Sequence, residues 1–166
     1  MKMAFEWAPL DYSLAQPPRR AKPFNGTPVL TWTPTGIYQD FWVRSTNGPW
    51  GSGRRESEVL FWMDCPTPEF KGWIDARELQ ERSIDGIPPS QTIIICHVLT
   101  EGVAPMAWNC AYFDTTKNHW ITDEGWEVLQ ALVRGGAIVP LQPPSYAPRK
   151  QLQGGQIRGL PDPIWA

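Results

Sequence analysis

The chain has 166 residues, 42% of them hydrophobic and 19% charged, with a formal net charge of −2. The length allows one domain or two small ones, and the composition excludes a disordered chain, which would carry more charge and fewer aromatics. The near-neutral balance argues against a general duplex-DNA binder, which needs a strong basic face to neutralise phosphates.

The 10 Trp and 18 Pro are unusual. Trp brings a large buried area per residue, which suits small β-rich units with little core. Proline at this level implies edges, turns and non-helical connections. Cys65, Cys96 and Cys110 are odd in number and show no CxxC spacing. They fit free thiols in a reducing compartment better than a disulfide framework. MKMAFEWAPLDYS lacks the apolar stretch of a secretory signal, and the longest apolar run, IIIC at 93–96, is strand-sized. A soluble, cytoplasmic protein is expected.

Residues 1–23 form a Pro-rich arm ending in QPPRRAKP, in which Met3, Phe5 and Trp7 alternate as in a short strand. Residues 24–73 form a first β unit. TPVLTWT (27–33), IYQDFWVR (37–44) and EVLFWM (58–63) are strands, separated by PTG and by NGPWGSG. In the helix and linker of 74–90, IDARELQER carries an Asp75 cap and the i,i+4 pairs Arg77–Glu81 and Glu78–Arg82, and DGIPPS breaks it.

A second β unit with an inserted helix covers 91–148. QTIIICHVL (91–99), MAWNCAYFD (106–114) and AIVPL (137–141) are its strands. The pattern of Trp126, Leu129, Leu132 and Val133 predicts a helix over about 123–134, capped by Thr122 or Asp123 and stopped by Gly135-Gly136. The tail, 149–166, is Pro- and Gly-rich and ends in PDPIWA. The fold expected is α+β and β-dominated, with two related antiparallel meanders packed together and helices at about 75–82 and 123–134.

The two β units share an order of features. TPVLTW, FW (41–42), PW (49–50) and VLFWMDCPTP are matched by QTIIIC, AW (107–108), HW (119–120) and AIVPLQPP. A three-stranded unit cannot bury its own face, so an internal duplication would pack two such units around their Trp residues. The run FNGTPVLTW … FWVRSTNGPW … VLFWMDCPTP also resembles a small domain of unknown function common in phage and prophage proteins. That domain ends in a Trp-Met-Pro-Leu-Pro-like motif, matched here by Trp62-Met63 with Pro66 and Pro68. Phe61 stands where the family often has His, and Asp64-Cys65-Pro66 replaces the Leu-Pro step. The resemblance covers about residues 24–68, with a fainter echo at 91–146. It implies a phage-like origin and a small β fold, and supplies no catalytic residues.

NGPWGSGRR (47–55) has the glycines of a phosphate loop but lies between strands, with no helix N-terminus and no Gly-Lys-Ser/Thr. It reads first as a solvated hairpin tip and second as a contact surface made by Trp50, Arg54 and Arg55. Trp120, in the matching turn, and Trp165, near the C-terminus, complete the candidate partner- or ligand-binding set. Cys96, His97, Cys110 and His119 include the residue types of a zinc site, but adjacent 96 and 97 point to opposite strand faces, so no metal or cofactor is expected. Cys110 with His119 and Asp114 or Asp123 has the residue types of a hydrolase, although a buried strand thiol is the commoner outcome.

Three readings follow, in order. The first is a non-enzymatic phage or mobile-element accessory protein that binds a host protein, as a counter-defence inhibitor would. The second is a module that sequesters a nucleotide-type signal through Trp and Arg. The third is a Cys–His hydrolase.

Overall fold

In the computed structural model, residues 5–10, 27–43, 49–100 and 103–143 are described. The first sheet is built from β1 (Ala8–Pro9), β2 (Pro28–Thr33), β3 (Gly36–Phe41) and β4 (Phe61–Asp64). Its spatial order is β1-β4-β2-β3, and every neighbouring pair is antiparallel. The β2–β3 turn is held by Thr33, whose Oγ1 accepts from the backbone N–H groups of Thr35 and Gly36. A Thr hydroxyl thus closes the turn that PTG predicts.

The second sheet follows. β5 (Ile74–Asp75) leads into α1 (Ala76–Asp85), then β6 (Gln91–Thr100), β7 (Val103–Asp114), β8 (His119–Thr122), β9 (Glu127–Val128), a 3-10 turn (Gln130–Leu132) and β10 (Val133–Pro140). The order is β5-β10-β6-β7-β8-β9, again antiparallel. α1 starts as its sequence predicts. Asp75 accepts from the Glu78 N–H at 2.9 Å, and Arg77–Glu81 and Glu78–Arg82 lie at 3.8 and 3.5 Å.

Period-2 alternation sorts the buried residues into three cores. The two sheets pack face to face over Leu30, Ile37, Met63, Ile94, Trp108 and Val139, among others. On the outer face of the second sheet, Leu79 of α1 meets Ile93, Ile95, Phe113 and Trp120. On the outer face of the first, Val29, Trp42 and Trp62 are covered by Trp50 and Val59 of the β3–β4 connection. The inter-sheet core is sealed by indoles. Trp7 Nε1 donates to the Pro140 carbonyl and Trp108 Nε1 to the Pro66 carbonyl, both at 2.9 Å, and Trp32 Nε1 donates to the Leu141 carbonyl at 3.1 Å. Each packs a large ring against this core, Trp32 only half-buried, and satisfies its one donor on the opposite unit.

The expected α+β, β-dominated architecture is what the structure shows, with two antiparallel sheets and one α-helix among the described residues, but the units are not the expected meanders: β2 pairs with both β3 and β4, and β6 with both β7 and β10, because the last strand of each unit returns to the open side of the first. The predicted helix over 123–134 does not form. Gly125 turns the chain at φ +88, Trp126 exchanges hydrogen bonds with Thr122, and Glu127 and Val128 return as β9. Trp126 and Leu129 are 55% and 57% exposed, so the residues read as one apolar helix face do not share a core. The edge of β8 offers a hydrogen-bond ladder that local helix propensity cannot outweigh. Gly135 and Gly136, expected as a helix stop, lie inside β10. They matter there because Trp73 and Ile74 crowd the first, and Leu79 and the Ile94 carbonyl crowd the second.

Both sheets share one topology. In the first, central Leu30 pairs with Gln39 on one side and Met63 on the other. In the second, central Ile94 pairs with Cys110 and Ala137. The chain runs in each case from a short edge strand to the central strand, through a hairpin to its neighbour, and back to the central strand's other side. The sequence matches AW (107–108) to FW (41–42), whereas strand register places Phe113, not Trp108, where Trp42 stands.

Because a Cβ on Gly136 would meet the Ile94 carbonyl and Leu79, Gly136→Ala should destabilise the protein by roughly 3 kcal/mol through overpacking. Urea unfolding monitored by Trp fluorescence would show the loss as a lower midpoint at unchanged slope.

Candidate functional site

The loop that looks most like a binding site is organised around Asp40. This carboxylate sits near the end of β3 with its side chain 1% exposed. It accepts from the backbone N–H groups of Phe41 at 2.8 Å and Ser52 at 3.0 Å, and from the Ser52 hydroxyl. Arg54 Nη1 lies 3.5 Å away, and the Arg54 guanidinium stacks 4.2 Å from the Tyr38 ring centroid. A buried carboxylate with this many donors is a folding anchor for a turn. The expectation that Arg54 is free to grip a ligand is therefore corrected: its charge is committed to Asp40 and Tyr38. Arg55 is exposed, and its guanidinium has no ion-pair partner among the described residues.

Trp50 is also not a surface contact. It is 2% exposed, bridged antiparallel to Trp42, and the two rings meet edge to face at 5.3 Å. Trp120 is 0% exposed and repeats the arrangement with Phe113, its strand partner, at 5.6 Å. Its Nε1 donates to Gln130 Oε1 at 2.6 Å, and Gln130 Nε2 donates to the Ala76 carbonyl at 3.0 Å, tying the 3-10 turn to α1. Both tryptophans are scaffold, because each fills the space beneath its own sheet. Trp165 lies outside the described residues.

Cys110 and His119 do not form a catalytic pair. His119 is the register partner of Asp114, four residues along β7 from Cys110. At the rise of a strand this is roughly 13 Å, beyond hydrogen-bond reach. Burial pushes the Cys110 thiol up to about 12, with the Asp123 carboxylate adding and a Thr92 hydrogen bond opposing. Burial raises Cys96 to about 11, and Cys65 is raised by burial, then by Cys96 and Asp64. Protonated, buried thiols are poor nucleophiles. Cys96 lies in the inter-sheet core, whereas buried His97 bonds Asn109 Oδ1 at 2.9 Å. No group of three or more His, Cys, Asp or Glu converges on a metal-sized point among the described residues. No helix among them is long and apolar enough to cross a membrane.

A different surface emerges where the second sheet is wider than the first. β8 and β9 extend it beyond β7 by an antiparallel ladder, whose counterpart among the described residues of the first sheet is the single Trp42–Trp50 bridge. The outer face of this ladder is core, through Phe113, Trp120 and Val128. On the opposite face the strand partners Tyr112 and Ile121 sit side by side, Tyr112 57% exposed. Trp126 and Leu129 flank β9 at 55% and 57% exposure.

Charge rims this surface. Glu127 accepts from Lys117 Nζ at 3.1 Å, which holds its carboxyl below the usual range. His119 Nε2 is 3.1 Å from Glu127 Oε1, at ion-pair distance but poorly aligned for a hydrogen bond. The sequence reading missed this face because it placed Trp126 and Leu129 on a buried helix stripe. The strand alternation of NCAYFD, which sets Tyr112 against Phe113, was the signal available.

No protein family matches the chain, and no curated protein and no solved structure shows significant similarity to it.

Asp40→Ala should cost about 3 kcal/mol, since it strands a half-buried guanidinium and two backbone donors, and Asp40→Asn should cost less because it retains an acceptor. Thermal unfolding of both variants checks the order. At pH 8 a thiol with pKa near 12 is thiolate in roughly one molecule in ten thousand. Native Cys110 should thus alkylate with iodoacetamide far more slowly than in urea, its rate rising about tenfold per pH unit below the pKa. Rapid labelling of Cys110 in the native protein at pH 8 would contradict its placement.

Proposed function

We propose that this protein works by binding another protein, without chemistry of its own. The observation that carries the reading is the uncovered face of the β7–β8 ladder, where Tyr112 is more than half exposed, together with Trp126 and Leu129, each more than half exposed on either side of β9. Large exposed aromatics with a charged rim are the anatomy of an interaction surface, because burying such rings dominates interface energetics. The scaffold is suited to this: the sheet beneath is fixed by Phe113, Trp120 and Val128, so the ladder loses little conformational freedom on binding.

The phage-like resemblance of residues 24–68 makes a host protein the proposed partner, and inhibition of a host defence protein the proposed role. The nucleotide-sequestering reading draws no support from this geometry, since Trp50 is buried and Arg54 is paired. A Cys–His hydrolase draws none either, given the separation of Cys110 and His119 along the ladder.

The test is affinity capture from host lysate with the wild-type chain and with Tyr112→Ala/Leu129→Ala. Both substitutions are at exposed positions and should leave the melting temperature within a degree or two. The double variant should lose capture, with affinity for the purified partner reduced by about 100-fold if two interface anchors are removed. Equal capture by both proteins would sink this face as the binding surface.

A further inference from the structure

Beyond that outward-facing surface, the buried face between the two sheets also has the character of an interaction surface. We infer that the chain is a dimer made internal: two copies of one unit, joined end to end, that recognise each other through the same face.

The strand registers equate the units residue by residue. Once Leu30 is set on Ile94, the pairings place Ile37 on Trp108 and Met63 on Ala137. All six lie in the inter-sheet core. The edge strands then align without further choice. Pro9 pairs with Phe61 as Asp75 pairs with Gly135, so Trp7, just before β1, falls on Trp73, just before β5. Both pack into the inter-sheet core. Pro66 falls on Pro140, and these are the two prolines whose carbonyls accept an indole N–H from the opposite unit. The outer-face pair Trp42–Trp50 matches Phe113–Trp120, with the same strand pairing and near-perpendicular rings at 88° and 79°.

The packing is that of a two-fold interface. β3 lies against β7, its own counterpart, and the Trp108 N–H donates to Gln39 Oε1 at 3.0 Å across the junction. An element packed against its own equivalent is what a two-fold arrangement of two like units produces, with one patch serving both partners. The donors have diverged, Trp7 serving one proline and Trp108 the other, while the acceptors remain equivalent. Among the described residues, the second unit also carries α1 between its edge and central strands and a longer ladder, β8–β9, before its last strand.

The experiment is to insert a protease site between Pro68 and Glu69, in the turn that joins the units, and cut the folded full-length chain. The uncut variant must melt like wild type; if it does not, limited trypsin cleavage after exposed Lys71 replaces the insertion. An internal dimer predicts that the cut halves stay together on size exclusion and that their melting temperature becomes concentration-dependent. It further predicts that native mass spectrometry of incubated cut protein finds like-with-like pairs, two first halves or two second halves, beside the mixed pair. Halves that unfold or separate on cutting would overturn the inference. So would halves that pair only with each other, since a self-recognising face must accept a second copy.

Discussion

The structure depends on burying one side of each sheet, which neither sheet can do alone. A four-stranded sheet with one apolar face is exposed to water until something of matching shape covers it. Here each sheet covers the other. The fit is set by tryptophans whose rings fill the gap while their N–H groups reach carbonyls across it. Because an indole left without a partner in such a core would cost most of what its ring contributes, these hydrogen bonds fix how the sheets sit as well as whether they meet.

The outer faces solve the same problem by different means, and the proposed binding surface follows from the difference. The first sheet covers its outer face with its own β3–β4 connection, anchored by Asp40, and the loop's glycines, serine and arginine are used in that closure. The second sheet covers its outer face with α1 and then grows sideways through β8 and β9. That growth carries the inner face of the second sheet beyond the reach of the first. Tyr112 and its neighbours are left uncovered as a result, on a ladder whose other side is firmly packed.

Much of the fold was legible in the residues, and the reason is locality. β2, β3, β6 and β7 are runs of β-branched and aromatic residues bounded by turns, and α1 carries its own cap and ion pairs. The matching order of features in the two halves was also legible, because the strands and their Trp-bearing turns recur in the same sequence. The candidate site was less so. A loop rich in Gly, Trp and Arg has the same composition whether its tryptophan faces water or a sheet. Arg54 shows this well, since its partner Asp40 lies fourteen residues away on another element.

By itself, then, the sequence determined the β-dominated class, the capped start of α1 and the main strands of each unit, all of which follow from propensity and alternation over a few residues. Tertiary structure decided the rest. It put β9, a 3-10 turn and the start of β10 where a helix was expected, because β8 supplies a ladder there. It buried Trp50 and Trp120, because each sheet needs a cover, and it left Tyr112, Trp126 and Leu129 open. None of these outcomes is encoded locally. Each depends on which surface another part of the chain brings into contact, and only the folded arrangement specifies that.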